Sequence, residues 1–232
     1  MDIIITGSSR GIGFELVKLF AQQSENRILA ISRNSNNINQ LRNESTELKD
    51  VIFPVSMDLM DDGFQNKIIS IVEDYQFKPR ILINNAGLLV HKPIEQLDGN
   101  DFDAMFKVNM KSPFLLIQSL LLYFCKNAHI INIGSMGGFQ GSSKFSGLSL
   151  YSASKGALAI FTECLAEELK DKDIKVNCLA LGAAQTEMLQ EAFPGYKAPV
   201  SASSMAAFIH DFALSGHQYF NGKVLPVSLS TP

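Results

Sequence analysis

The stretch Ile3-Ile4-Ile5-Thr6-Gly7-Ser8-Ser9-Arg10-Gly11-Ile12-Gly13 decides the fold, because it joins a short apolar strand to a glycine-rich turn. Phe14, Val17, Leu19 and Phe20 then follow at helical spacing, so a helix is expected directly after the turn. A strand, a glycine-rich turn and a helix in this order are typical of the start of a dinucleotide-binding unit. An ordinary turn between a strand and a helix is the alternative interpretation.

Glycine is needed at each of these three positions for a different physical reason. Gly7 lets the backbone turn tightly, Gly11 lets it approach a pyrophosphate, and Gly13 lets the helix pack on the strand. The free N–H groups at the helix N-terminus favour a bound phosphate. We therefore expect cofactor contacts from Gly7, Ser9, Arg10, Gly11, Ile12 and Gly13.

Strand-like and helix-like segments alternate along the rest of the chain. Further strands are predicted at 27–32, 51–55, 80–83 and 129–133, and helices at 38–48, at 61–75, from about 98, and from 151. This alternation predicts an α/β fold with a single doubly wound, Rossmann-like parallel sheet and helices on both faces. We expect one domain over residues 1–232, with the ligand beyond the carboxyl ends of the strands.

The end of the second strand favours NADP(H) over NAD(H). Proteins that select NAD usually carry an acidic residue there, whereas this chain has Ser32 and Arg33. Arg10 lies in the first turn, and two guanidinium groups suit the 2′-phosphate of NADP(H). The alternative is that both arginines are solvated surface residues.

Polar and small residues also follow the next two strands. Asp58 and Leu59 come after the third strand, where Asp58 could accept from an adenine amino group or cap the following helix. The fourth strand runs into Asn84-Asn85-Ala86-Gly87, in which the asparagines can bridge backbone groups. Gly87 permits a ligand to approach closely. We expect cofactor contacts from Asp58, Leu59, Asn85, Ala86 and Gly87.

Two further residues are candidates for proton chemistry, and a third is expected to face the interior. Tyr151 and Lys155 open a helical run four residues apart, so their Cβ atoms should lie ~5–6 Å apart on one helix face. A nearby ammonium lowers the pKa of a tyrosine, which could then exchange a proton near neutral pH. Asn109 precedes Pro113, which should bend or break its helix and let Asn109 face inward. An exposed Tyr/Lys pair on a helix surface is the alternative.

Composition excludes several classes of protein. The net charge of −3 lacks the basic excess of a nucleic-acid-binding protein. The most apolar run, 114–124, is shorter than the ~20 residues of a membrane span. Met1 leads directly into a strand, so we expect no signal peptide. The cysteines lack metal-ligand spacing, and their small number suits a reduced, cytoplasmic protein; they are Cys125, Cys164 and Cys178.

Taken together, these motifs make the chain similar to the short-chain dehydrogenase/reductase family from Ile3 to Leu225. The matching residues are Thr6, Gly7, Gly11, Gly13, Asn84, Asn85, Ala86, Gly87, Asn109, Ser135, Tyr151 and Lys155. The resemblance implies that Tyr151 is the general acid and that Ser135 hydrogen-bonds the substrate oxygen. It implies that Lys155 lowers the pKa of Tyr151 and binds the nicotinamide ribose. It implies that Asn109 keeps a water in a proton relay, and that Gly182, Ala184 and Thr186 contact the cofactor.

The resemblance also implies an activity and an assembly. We expect an NADPH-dependent reductase of a ketone or aldehyde, similar to the 3-oxoacyl carrier-protein reductases, that forms a homodimer or homotetramer. Apolar residues near the strand ends predict an apolar or aromatic substrate; they are Leu88, Leu89, Val90, Met136, Phe139, Met188, Leu189, Phe193 and Tyr196. The alternatives are a non-catalytic NADP(H) sensor and a structural α/β protein that binds no ligand.

The chain departs from the family pattern at three places. Leu181-Gly182 stands where Pro-Gly is common, so the turn near the nicotinamide could be looser. The loop between Ser135 and Tyr151 is long and offers three rival hydroxyl groups, those of Ser142, Ser143 and Ser149. The C-terminal sequence Ser228-Leu229-Ser230-Thr231-Pro232 lacks the usual Asp-Gly-Gly.

Overall fold

The computed structural model describes residues 1–229, so the last three residues of that C-terminal sequence lie outside the described part. Within the described part, seven strands form one parallel sheet: β1 (Asp2–Thr6), β2 (Arg27–Ser32), β3 (Ile52–Ser56), β4 (Pro79–Asn84), β5 (Ala128–Ser135), β6 (Ile174–Leu181) and β9 (Val224–Val227). Two short strands, β7 (Ala184–Gln185) and β8 (Val200–Ser201), pair with each other. The order β3-β2-β1-β4-β5-β6-β9 reverses between β1 and β4, which opens a crevice at the carboxyl ends of these strands.

Helices cover both faces of this sheet. They are α1 (Gly11–Phe20), α2 (Asn36–Arg42), α3 (Thr46–Val51), α4 (Phe64–Asp74), α5 (Gly99–Phe106), α6 (Ser112–Leu120), α7 (Ser149–Glu168), α8 (Glu187–Ala192) and α9 (Ala202–Ser215). Ile3 and Ile5 pack toward α1 and α9, whereas Ile4 packs toward α4, α6 and α7, as the alternation of side chains along a strand requires. The predicted doubly wound α/β fold is confirmed. No helix within residues 1–229 is long and apolar enough to cross a membrane.

The helix predicted over 38–48 is wrong in its extent. The chain forms α2 and α3 instead, because the Ser45 hydroxyl accepts from the Leu48 N–H at 3.3 Å and starts a new helix. The predicted 61–75 helix begins later, at Phe64, because Gly63 precedes it in a left-handed conformation with φ of 88°. Asp58 therefore does not cap α4.

The bend predicted at Pro113 takes the form of a widened turn. Residues Lys107–Lys111 form a π-helical turn between α5 and α6, and the helical path continues through it. Pro113 has no N–H and cannot donate to the carbonyl oxygen of Asn109, four residues earlier. Asn109 lies in this turn and is fully buried, so it faces inward as predicted.

Candidate active site

The carboxyl ends of six neighbouring strands, β1 to β6, open into one cavity of about 610 Å³. It is lined by every site residue predicted from the sequence except Gly13 and Asn109: Gly7, Ser9, Arg10, Gly11, Ile12, Ser32, Arg33, Asp58, Leu59, Asn85, Ala86, Gly87, Ser135, Tyr151, Lys155, Gly182, Ala184 and Thr186. The sequence thus identified residues that the fold collects from the ends of β1 to β6 and from helix α7.

The glycine-rich turn leaves no room for side chains. Gly7 has a φ of 67°, and a Cβ atom there would lie 2.8 Å from the Cα of Ala86. A Cβ atom on Gly13 would collide with the carbonyl oxygen of Gly7. Gly13 therefore acts from outside the cavity, by letting α1 pack directly against the turn.

A network of hydrogen bonds locks this turn to the end of β4. Asn85 Nδ2 donates to the carbonyl oxygens of Thr6 and Gly7 at 3.0 and 3.1 Å. Thr6 Oγ1 accepts from the N–H groups of Asn85 and Ala86 at 3.1 and 3.0 Å. Asn85 thus has the bridging role that was predicted for both asparagines, and it holds the two walls of the crevice at a fixed separation. Asn84 instead donates to a side chain.

A second polar chain, which sequence reasoning missed, runs beneath the cavity. Asn84 Nδ2 donates to Asn132 Oδ1 at 2.8 Å, and Asn132 Nδ2 donates to Thr162 Oγ1 at 2.9 Å. All three residues are buried. The available signal was Asn132 itself, an amide within the apolar run Ile130-Ile131-Asn132-Ile133, since such a side chain needs a partner when buried.

Lys155 is buried on α7, and its Nζ donates to the carbonyl oxygen of Ile133 at 2.7 Å. Desolvation lowers the pKa of Lys155 to about 8, and the nearby Cys178 thiol opposes this effect. A side chain on Gly87 would touch both Lys155 Nζ and Asn109 Oδ1, at 3.5 Å each. The ammonium therefore lies between the ends of β4 and β5.

The pKa expectation for Tyr151 is wrong in this structure. Burial raises the pKa of the phenol above its ordinary value, and the hydrogen bond with the Ser135 side chain lowers it by a smaller amount. Lys155 is not among the groups that shift this pKa, and its ammonium donates to the Ile133 carbonyl oxygen. The phenol is therefore protonated at neutral pH, which is the form that a general acid requires.

Asn109 acts on the cavity from behind its wall. Its Oδ1 accepts from the Leu88 N–H at 2.8 Å, while its Nδ2 donates to the Leu88 carbonyl oxygen and to Ser154 Oγ, both at 2.9 Å. These contacts fix the segment after β4 against α7. The relay role that the resemblance implies for Asn109 stays a prediction.

The long loop after β5 leaves Ser135 as the hydroxyl in the cavity. Ser142 Oγ donates to main-chain carbonyl groups of its own loop, including that of Met136, and Ser143 and Ser149 are exposed. None of these three rivals lines the cavity. Ser135 also accepts from the Gly137 N–H at 3.2 Å, which orients its side chain.

The segment after β6 is held more firmly than its sequence suggested. Leu181 pairs with Val227, and the Gly182 N–H donates to the Val227 carbonyl oxygen at 2.9 Å, so the ladder extends into the turn. Thr186 then caps α8 by accepting from the Leu189 N–H at 3.3 Å. The looser turn expected from the Leu181 substitution is not present.

The two arginines at the other end of the cavity differ in their contacts. Arg33 is exposed. Arg10 instead forms a two-point ion pair with Glu191 on α8, which the sequence pattern did not predict. Asp58 Oδ1 accepts from the Met60 N–H at 2.9 Å and so stabilises the turn after β3. This end of the cavity thus carries one paired and one exposed guanidinium group.

The opposite end is mainly apolar. Seven of the nine residues predicted for the substrate pocket line the cavity, while Val90 and Phe139 do not. Phe145 and Leu148 also line it, because the long loop folds back over the opening. His91, which sequence reasoning missed, packs against Phe193 with the ring centroids 4.6 Å apart and the rings tilted by 37°. Its ring nitrogens contact the carbonyl oxygens of Ala192 and Ser146.

Comparison with known proteins gives a consistent result. Residues 2–197 match the family model described as short chain dehydrogenase. A 3-oxoacyl-acyl-carrier-protein reductase of Thermotoga maritima is 30% identical over 191 residues, which is 81% of this chain and 76% of the relative. Among solved structures, 4-hydroxyisoleucine dehydrogenase complexed with NADH superposes with a TM-score of 0.86 at 23% identity, over 98% of this chain and 96% of that one. ElxO with NADP bound has a TM-score of 0.83 at 25% identity, over 97% and 96%.

Proposed function

The chain belongs to the short-chain dehydrogenase family, and on that premise we propose that it is an NADP(H)-dependent oxidoreductase that reduces a ketone or aldehyde to an alcohol. One observation carries the proposal. The Tyr151, Ser135 and Lys155 side chains line the same cavity as the glycine-rich turn, and the Tyr151 phenol hydrogen-bonds the Ser135 side chain. We propose that the whole chain, residues 1–232, is one cofactor-binding domain.

The residues of the cavity fit a dinucleotide. Gly7 and Gly13 exclude side chains where a pyrophosphate would lie, and the first turn of α1 carries no carboxylate to repel it. Lys155 would bind the nicotinamide ribose, and Thr186 would contact the nicotinamide end. The bound cofactor would supply a hydride to the carbonyl carbon of the substrate.

Several observations favour NADP(H) over NAD(H). Ser32, Arg33 and Asn34 line the cavity at the end of β2, where a carboxylate would select NAD. Arg33 offers a guanidinium group to a 2′-phosphate. The related structures include both nucleotides, since ElxO has NADP bound and 4-hydroxyisoleucine dehydrogenase is complexed with NADH. The choice therefore rests on this chain's own residues.

The side chains supply the proton chemistry. Tyr151 would protonate the carbonyl oxygen as negative charge develops on it, and the Ser135 hydroxyl would donate a hydrogen bond to the same oxygen. With a pKa of about 8, Lys155 is mostly charged at neutral pH and favours that negative charge. Because Pro113 cannot donate to the Asn109 carbonyl oxygen, this oxygen is a candidate acceptor for a relay water.

The walls around Tyr151 support an apolar or aromatic substrate. Met136, Leu148, Met188, Leu189 and Phe193 all line this end of the cavity. Such walls bury a hydrocarbon or an aromatic ring, whereas a polyanionic substrate would lose its hydration without a compensating partner. A compound with a ketone or aldehyde next to an apolar group is the proposed substrate class.

The experiment that tests this function follows NADPH oxidation across a panel of aliphatic, aromatic and acyl-thioester ketones. A reductase oxidises NADPH with at least one member of the apolar or aromatic set. Binding of NADPH without turnover of any carbonyl would instead support a non-catalytic sensor. A strong preference for a phosphorylated or dicarboxylate ketone would contradict the proposed substrate class.

We also propose a homodimer or homotetramer in the cytoplasm. Large apolar side chains are exposed on neighbouring helices; these are Phe102 on α5, Phe114 on α6 and Ile160 on α7, with exposures of 45%, 39% and 59%. Covering them with a second copy would remove apolar surface from water.

The three cysteines are free thiols, as suits a reducing compartment.

A further inference from the structure

Arg10 reaches across the cofactor end of the cavity to helix α8. Its Nη1 and Nη2 atoms donate to the two carboxylate oxygens of Glu191 at 2.5 and 3.1 Å. The hydrogen bond to Glu191 is the largest effect that raises the pKa of Arg10, and Glu187 adds a smaller electrostatic contribution. Two carboxylates of α8 therefore compensate the charge of this guanidinium group.

Arg33 differs from Arg10 in this respect. Within residues 1–229, no carboxylate forms an ion pair with the Arg33 guanidinium. Its charge remains available to an anion at the end of β2, and it lines the same cavity as Arg10. The two guanidinium groups that the sequence assigns to one phosphate therefore differ, because Arg10 is paired with a carboxylate and Arg33 is not.

We propose that Glu191 is a specificity-determining residue that competes with the 2′-phosphate of NADP(H) for Arg10, and so weakens the preference for NADP(H) over NAD(H). This inference rests on the proposed function. A phosphate binds a guanidinium group most strongly through two parallel N–H donors, and Glu191 already occupies Nη1 and Nη2. NAD(H) has no 2′-phosphate, so its binding does not require Arg10 to exchange partners.

The Glu191 pair is of a kind that a ligand can displace. The Arg10 and Glu191 side chains are 45% and 62% exposed, so solvent screens the pair and its contribution is small. A doubly charged phosphate attracts a guanidinium more strongly than a carboxylate does. Glu191 therefore reduces the affinity for NADP(H) without preventing its binding.

The test is fluorescence titration of NADPH and NADH against the unmodified protein and Glu191→Gln. The variant should bind NADPH about two- to fivefold more tightly, the range expected for release from an exposed ion pair, and should bind NADH with unchanged affinity. Glu167→Gln is the matched control. It removes the same charge and breaks the exposed ion pair that Glu167 on α7 forms with Lys170, away from the cavity, so it should leave both affinities unchanged.

A double-mutant cycle identifies the residue through which Glu191 acts. In an Arg10→Gln background, Glu191→Gln should no longer change NADPH affinity, because the group for which it competes is absent. An unchanged or lowered NADPH/NADH preference in Glu191→Gln would overturn the inference, as would a gain that persists without Arg10. If the unmodified protein binds neither nucleotide, the proposed function fails as well. Tight NADPH binding with an unaltered preference in Glu191→Gln defeats this inference alone.

Discussion

The Lys155 ammonium donates a 2.7 Å hydrogen bond to the carbonyl oxygen of Ile133. This contact ties helix α7 to β5 two residues before Ser135. It therefore fixes the position of Tyr151, on α7, relative to Ser135, at the end of β5. The hydrogen bond also places a charged group where it is almost fully removed from water. The cost of burying this charge makes the stability of the protein depend on pH.

The first prediction concerns Lys155→Met. The ammonium titrates at about 8 in the folded protein and at about 10.4 in an unfolded chain, so the unfolded state binds more protons between these values. Deprotonation of Lys155 should therefore increase the free energy of unfolding of the unmodified protein as pH rises through this window, by at most about 1.4 kcal/mol per pH unit. Below about pH 8 the full cost of burial remains.

Lys155→Met has no ammonium and lacks this gain. The free energy of unfolding of the variant, minus that of the unmodified protein, should therefore become more negative as pH increases from 7.5 to 10. Urea unfolding of both proteins across this range measures the difference. A difference that does not vary with pH would contradict the buried, titrating ammonium.

The second prediction concerns acid destabilisation through His129. Its Nδ1 lies 3.1 Å from the Ala213 carbonyl oxygen and its Nε2 lies 3.1 Å from Asn177 Nδ2, which suits a neutral ring that donates at one nitrogen and accepts at the other. Burial lowers the pKa of His129 from 6.5 to about 4. The unfolded state therefore binds more protons between these values, and stability falls as pH drops from about 6.5 to 4.

His129→Gln should weaken this acid dependence, by up to about 1.4 kcal/mol per pH unit in the window. Urea midpoints at pH 7, 6 and 5 provide the measurement. The variant is expected to be less stable at pH 7 and to lose less stability on acidification. Parallel losses in the two proteins would show that His129 is not responsible.

The third prediction concerns cofactor choice. Arg33→Asp replaces a cation with a carboxylate at the end of β2, so NADPH should bind much less tightly and NADH relatively better. A charge-assisted contact contributes ~1.5–3 kcal/mol, or roughly 10- to 150-fold in affinity. Titrations with both nucleotides measure this change, and Arg33→Lys should retain more NADPH affinity because it keeps the charge. Equal affinity of the unmodified protein for NADH and NADPH would refute the assignment.

The fourth prediction concerns assembly. Light scattering at micromolar concentration should give two or four times the chain mass of 25.5 kDa. Ile160→Glu adds a charge to the exposed face of α7 and should lower this mass, because burial of an unpaired charge opposes association. A strictly monomeric unmodified protein would contradict the proposal.

The sequence predicted those features that depend on local patterns. β2 was predicted to the residue, and the glycine-rich turn was correctly given between the first strand and α1. Local spacing decides these features, because a strand, a turn and a helix each follow from neighbouring residues. The shared cavity followed from one topological rule, which brings the carboxyl ends of parallel strands to one edge.

The remaining features depend on partners that are distant in the sequence. The Arg10–Glu191 pair joins residues 181 positions apart, and the Asn132–Thr162 contact joins residues 30 positions apart. The pKa of Tyr151 is raised because burial outweighs the hydrogen bond with Ser135, and the extent of burial is known only after the chain has folded. A motif therefore identifies these residues without giving their electrostatic environment.

The most direct test of the central claim is the turnover of Tyr151→Phe with a proven carbonyl substrate. The change keeps the ring and its packing but removes the proposed proton donor, so turnover should fall roughly 10²–10⁴-fold while NADPH affinity stays nearly unchanged. Lys155→Ala serves as the contrast, because it should lower both turnover and NADPH binding. Reduction of the substrate by Tyr151→Phe at the unmodified rate would show that the proton comes from another group, and would contradict the account.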